Sequence, residues 1–99
     1  MGTKIRRGHD NVFRDLGFSP EEAENLRVRS DLMIALSKVI DGRGLTQVQA
    51  AKLLGVSQPR VSDLVRGKIG RFSIDTLVAM LGHAGVRVRF TTKRVARVA

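Results

Sequence analysis

Residues 45–68 read LTQVQAAKLLGVSQPRVSDLVRGK, and the proline within them decides how the rest folds. Pro59 sits in a run where Val61, Leu64 and Val65 recur at helical spacing, so at first sight it breaks a helix. The first N–H groups of a helix have no intrahelical acceptor, however, and a proline in the first turn forfeits no hydrogen bond. With Ser57 as N-cap, Pro59 takes the second helical position. Proline disfavours helical geometry at the preceding Gln58, which leaves the start open by one residue. Pro59 therefore marks a beginning. Two short helices are expected: Thr46 caps QVQAAKLL, Gly55 ends it, and Ser57 caps a segment running to Gly67.

The spacing within this pair carries more information. Counting from Gln47, the small residues Ala50 and Ala51 fall fourth and fifth, Leu54 eighth, Gly55 ninth, Val56 tenth, Val61 fifteenth and Leu64 eighteenth. A tight helix-turn-helix needs a small residue where the helices approach, a glycine free to take positive φ at the turn, and apolar residues facing inward from both helices. All seven positions hold suitable residues. The stretch resembles the helix-turn-helix of the Cro- and phage-repressor-like, or XRE, family and matches its pattern without a gap.

That resemblance implies that Gln58 to Arg66 is a recognition helix whose N-terminal end enters the DNA major groove. Gln58 and Arg60 stay exposed because Val61 and Leu64 take the inward positions. They become the candidate base readers, since arginine pairs bidentately with guanine and glutamine with adenine. Pro59 and Ser62 belong to the same candidate surface. By the resemblance Gln47 corresponds to a phosphate-contacting position. Thr46 and Ser57 bring hydroxyls and helix N-termini to the backbone, while Arg66, Lys68 and Arg71 supply charge. Asp63 is the exception on a basic surface: it can accept from a cytosine amino group, but pairing with Arg60 or Arg66 on its own helix is the expected role.

Outward from this unit, Ser19, Pro20 and Glu22 form a helix start with a capping box. The segment Pro20 to Ile40 follows, with Leu26, Met33, Leu36 and Ile40 on one stripe beside Leu32 and Val39, and DGRG at 41–44 stops it. A further helix, Ile74 to Leu81, starts after Ser73 and ends at Gly82 and Gly85. Val86, Val88 and Phe90 then alternate with Arg87, Arg89 and Thr91, a period of two that predicts a strand. With no second strand in the chain, Val86, Val88 and Phe90 are expected to pair across a dimer or partner interface.

The expected fold class is mainly α: a compact, lambda-repressor-like helix-turn-helix domain with a short C-terminal β-strand. Residues 1–18 form a partly flexible arm, 19–92 the DNA-binding domain and 93–99 a basic flexible tail; the ends, 1–9 and 93–99, should be mobile. NVFRDLGF, SPEEAENL, VSQPRVSDL and the VRVRF strand together resemble the HigA-type antitoxin branch of the XRE family, over about residues 10–92. That resemblance implies a homodimer that represses its own operon at a palindromic operator, and a small ribonuclease toxin partner of the RelE-like fold. Stand-alone XRE-type regulators share the same features.

Charge agrees with a DNA partner. Eighteen Lys and Arg oppose nine Asp and Glu, for a net charge of +9. By segment the balance is +2 over 1–18, −1 over 19–45, +4 over 46–71, −1 over 72–82 and +5 over 83–99, so the excess lies around Pro59 and in the tail. The alternatives are a protein-interaction module that neutralises an acidic partner, or an RNA-binding domain. The second is disfavoured by the lack of Tyr and Trp and by only four Phe. Without cysteine there are no disulfides or thiolate metal sites, and His9 and His83 have no acidic or cysteine partner at ligand spacing. No metal and no cofactor is expected. Glu21, Glu22 and Glu24 suit a helix N-terminus better than acid-base catalysis, and no nucleophile, base and orienting group occur at plausible spacing, so no enzymatic activity is expected. No apolar run is long enough to span a membrane and the first 15 residues lack a signal-peptide core, which makes the cytoplasm the expected location.

Overall fold

Each helix start is set by a hydroxyl cap. In the computed structural model, which describes residues 12–94, Ser19 Oγ accepts from Glu22 N at 3.2 Å and Glu22 Oε1 accepts from Ser19 N at 3.3 Å. This box starts α1, Pro20–Gly42. Thr46 and Gln49 form the same reciprocal pair at the start of α2, Gln47–Leu54. Ser57 Oγ accepts from Arg60 N at 3.3 Å to begin α3, Gln58–Val65, and Ser73 Oγ accepts from Thr76 N at 3.2 Å to begin α4, Ile74–His83. A helical turn at residues 12–15 precedes α1, and a 3-10 turn, Ile69–Arg71, joins α3 to α4. The expected mobility of residues 1–9 lies outside the described residues, as does that of 95–99.

The open question at Pro59 is settled: α3 begins at Gln58 and the proline occupies its second position. The ends of the helices differ from expectation by about one turn or less. α1 runs two residues beyond Ile40, closed by Leu45 N donating to Ile40 O at 3.0 Å. α3 stops at Val65 rather than Gly67, because Gly67 N and Lys68 N turn back onto Leu64 O and Asp63 O. α4 passes through Gly82 to His83; with its carbonyls accepting from Ala84 and Val86, nothing local stops it earlier.

The helices meet around seven fully buried side chains: Leu36, Leu54, Val61, Leu64, Leu77, Met80 and Leu81. Each such aliphatic contributes about 1.5–3 kcal/mol on leaving water. α1 lies along α4, and α2 packs on both α3 and α4. Ala50, with no exposed surface, lets α2 approach its neighbours closely. On α1 the stripe of Leu32, Met33, Leu36 and Ile40 is buried as expected; Leu26 is only half-buried, and Ala23 takes the buried place nearer the N-terminus. Arg43 Nη2 donates to Ala84 O at 3.0 Å, tying the end of α1 to that of α4.

Val65 recurs at helical spacing with Val61 and Leu64 but is 47% exposed, lying about 100° round the helix from Leu64. The expected C-terminal strand is not confirmed: no strand forms among the described residues. Val86 N donates to Leu81 O at 2.9 Å, and beyond it no backbone hydrogen bond joins 87–94 to any described residue. A strand exists only as part of a ladder, and the described residues supply no second one. The alternation itself survives in part: Val86 and Val88 pack against the core while Arg87 and Arg89 face solvent. Phe90, expected on the apolar face, is 82% exposed.

Candidate nucleic-acid interface

The first turn of α3 displays what the sequence places there. Ser57, Gln58, Pro59 and Arg60 are all exposed, and the helix is anchored from behind by Val61 and Leu64, which are almost completely buried. The turn that aims α3 depends on Gly55, whose backbone has φ +71°. Gly55 N and Val56 N both donate to Ala51 O, closing α2, so the chain can reverse within three residues. The His83 ring covers this turn: a Cβ at Gly55 would lie 3.2 Å from its Cε1 and Nε2 atoms. Glycine suits this position chiefly for its left-handed conformation, with the close His83 ring a lesser constraint.

The remaining candidates fall into two groups. Thr46 and Gln47 stand exposed at the N-terminus of α2, where Thr46 is engaged in its own cap. Among the described residues no hydrogen bond or ion pair joins them to α3; what they share with its first turn is an exposed helix N-terminus, a backbone arrangement suited to phosphate. The second group is knitted together. Arg60 Nη1 donates to Arg71 O at 2.8 Å, and its guanidinium lies over the Phe72 ring, 5.4 Å from the centroid. Arg71 Nη1 in turn pairs with Asp63 Oδ2 at 3.3 Å. Asp63 is thus bonded neither to Arg60 nor to Arg66, as expected from its helix, but to a cation eight residues on. The turn after α3 folds back and offers a partner that helical spacing does not reveal. Ser62 is half-buried, whereas Arg66 and Lys68 are exposed with no acidic partner among the described residues.

This arrangement has an electrostatic consequence. The only carboxylate of residues 46–71 is Asp63, and Arg71 neutralises it, so the face from α3 through the 3-10 turn is left with uncompensated positive charge on Arg60, Arg66 and Lys68. Arg60 is nonetheless held in place in the free protein by the Arg71 carbonyl and the Phe72 ring. Reading a base would mean exchanging those contacts for new ones.

Two residues that matter here escaped the sequence reading. Phe72, 2% exposed, fixes the end of the 3-10 turn in the core and gives Arg60 its ring. Arg29, half-buried on α1, donates from Nη1 to Ile69 O at 3.0 Å and to Phe72 O at 3.3 Å, while its Nε donates to Asn25 Oδ1 at 2.7 Å. A signal was present: position 29 precedes Leu32, Met33 and Leu36 by three, four and seven residues, so a cation occupies the helix's apolar stripe. The predicted interface residues lie elsewhere, where Val86 and Val88 line a shallow groove with Val78, Gly82, Gly85 and Arg87.

Among the described residues no group of His, Cys, Asp and Glu is placed to hold a metal ion, and no helix is long and apolar enough to cross a membrane. Residues 12–93 match the model of a family described as a helix-turn-helix domain. No curated protein matches the chain. A solved structure described as an XRE family transcriptional regulator is similar, with a TM-score of 0.69 and 34% sequence identity over 79% of this chain and 90% of that one. With a capped helix pair, a glycine turn and a basic exposed face assembled on that architecture, the chain belongs to the XRE family of helix-turn-helix proteins.

Proposed function

We propose that this chain is a sequence-specific, DNA-binding transcriptional regulator that inserts the N-terminal end of α3 into the major groove. One observation carries the reading: the exposed first turn of α3, with Gln58 and Arg60, lies beside a turn bearing Arg66 and Lys68, and the one acidic group in the region is already neutralised by Arg71. Gln58 and Arg60 read base edges; Thr46, Gln47, Ser57, Arg66, Lys68 and Arg71 contact the backbone, and Pro59 and Ser62 pack along the groove wall. The test is a selection from random duplexes followed by titration at several salt concentrations. A defined motif, with log K falling linearly with log salt, is expected. Equal affinity for all duplexes, or none, refutes the proposal.

The regulator acts as a homodimer on a palindromic operator, since one recognition helix spans only a few base pairs and a two-fold pair reaches half-sites about 34 Å apart. Supporting this is the segment Val86, Val88 and Phe90: past the Val86 N–H its backbone has no partner among the described residues, and with the 82%-exposed phenylalanine it suits a strand completed by another chain. The finer reading, an antitoxin that represses its own operon and pairs with a RelE-like toxin, rests on the resemblance of the flanking motifs to the HigA type. The same segment would then meet the edge of the toxin's sheet. A stand-alone regulator remains the alternative, and co-purification with the product of an adjacent small reading frame separates the two.

A further inference from the structure

We propose that Arg29, on α1 and outside the helix-turn-helix, is a positioning residue for DNA binding: it holds the 3-10 turn in the register at which Lys68 and Arg71 reach phosphate. The inference rests on reading Lys68 and Arg71 as backbone contacts.

The turn is short and weakly anchored by itself. Its own backbone bonds are Ile69 N to Gly67 O, Arg71 N to Lys68 O and Phe72 N to Ile69 O, the last at 3.3 Å. The side chain of Ile69 is half-buried against the core, Gly70 has none, and Arg71 is exposed. Two guanidinium groups reach its carbonyls from two different helices. From α3, Arg60 takes Arg71 O; from α1, Arg29 bridges Ile69 O and Phe72 O, the two ends of the turn. The bond from Arg29 Nε to Asn25 Oδ1 fixes the plane of that guanidinium, so both carbonyls are held relative to α1 and not merely to one another.

The two braces differ in what they tie together. Arg60 and the Asp63–Arg71 pair link the turn to α3, which itself belongs to the recognition surface. Arg29 links it to α1, the longest helix and the one packed along α4. The buried Phe72 ring seats one end of the turn in the core, and Arg29 adds a second tie to α1, so the position of the turn's cations relative to the body of the domain depends on Arg29 as well as on Phe72. Charged donors on carbonyls make the stronger class of hydrogen bond; Nη1 serves both carbonyls while Nε holds Asn25, and a lysine, one bond shorter and without the Nε donor, cannot keep all three contacts. If Arg60 leaves Arg71 O to read a base, Arg29 is the side chain that still holds carbonyls of the turn, beside the Asp63–Arg71 pair.

The test compares Arg29→Ala, Arg29→Lys and Lys68→Ala in the full chain with one selected operator duplex, at a temperature where circular dichroism shows every variant fully folded. Lys68→Ala should lower the slope of log K against log salt by about 1, so that its affinity deficit shrinks about 3.5-fold between 50 and 200 mM salt. Arg29→Ala should do the same although its guanidinium is spent on protein carbonyls. Adding Lys68→Ala to Arg29→Ala should then change the slope by clearly less than the sum. Arg29→Lys should behave as Arg29→Ala does, because charge is kept and the bridge is lost.

A merely structural role lowers the melting temperature and leaves the slope of the folded protein unchanged, which overturns the proposal. A slope preserved by Arg29→Lys but lost in Arg29→Ala makes Arg29 a phosphate contact itself and overturns it equally. An unchanged slope for Lys68→Ala instead identifies the failure of the underlying reading of the turn.

Discussion

Gly55→Ala isolates the joint on which the orientation of α3 depends. The backbone there has φ +71°, and an alanine held in the left-handed region costs about 1–2 kcal/mol. The new methyl would also lie 3.2 Å from Cε1 and Nε2 of His83 and 3.3 Å from Cδ2, tighter than ordinary contact. His83 is exposed, so its ring can swing aside by a few tenths of an ångström and this part should be small. Against these, alanine restricts the unfolded chain and returns about 0.4–1 kcal/mol. A net loss of about 1 kcal/mol follows, or a fall in Tm of about 4–8 °C for a domain of this size. Thermal unfolding followed by circular dichroism measures it. Repeating the substitution in a His83→Ala background separates the causes: the contact disappears there, whereas the backbone strain stays. A Tm within 1 °C of the parent protein in both backgrounds would show that the turn does not require the left-handed conformation, and the account of how α3 is aimed would fall with it.

Arg60→Ala should weaken specific binding by about 1–3 kcal/mol and relax the motif at one operator position, as read by binding-site selection on the variant. Because it also deprives Arg71 O of a donor and Phe72 of its cation, a small fall in Tm should accompany the change; an intact motif at full strength would remove Arg60 from the readers. Val88→Pro should abolish dimerisation, or complex formation with a toxin, while preserving helix content, and sedimentation of a still-dimeric variant would eliminate the interface role of that segment. Acid should remove a minor stabilising contribution near the start of α1, where the hydrogen bond from Arg27, and secondarily its charge, hold the Glu24 carboxyl below its ordinary pKa against the opposing effect of burial. A lowered folded value means stability that is present above the ordinary glutamate pKa and lost as the pH falls through the folded one, so Glu24→Gln should flatten the acid limb of a Tm–pH curve slightly; an identical curve would count against the pair.

Much of this protein is decided locally. Ser19, Thr46, Ser57 and Ser73 each cap the helix that follows because a hydroxyl needs only to reach an amide two or three residues on, and such short-range geometry is written in sequence spacing. The same holds for the buried positions of the helix pair, since Ala50, Ala51, Leu54, Val61 and Leu64 follow helical periodicity through one fixed turn. The partners of charged side chains obey no such period. Asp63 could be assigned only to cations on its own helix, yet the chain returns Arg71 to it through a turn whose path depends on Phe72 entering the core. Arg29 finds its acceptors 40 and 43 residues away, a separation at which sequence carries no register. Val86, Val88 and Phe90 mark the other limit. Their alternation expresses a preference for a pleated ladder, but a ladder needs a second strand, and whether one is supplied is a property of the assembly rather than of this chain's own order of residues.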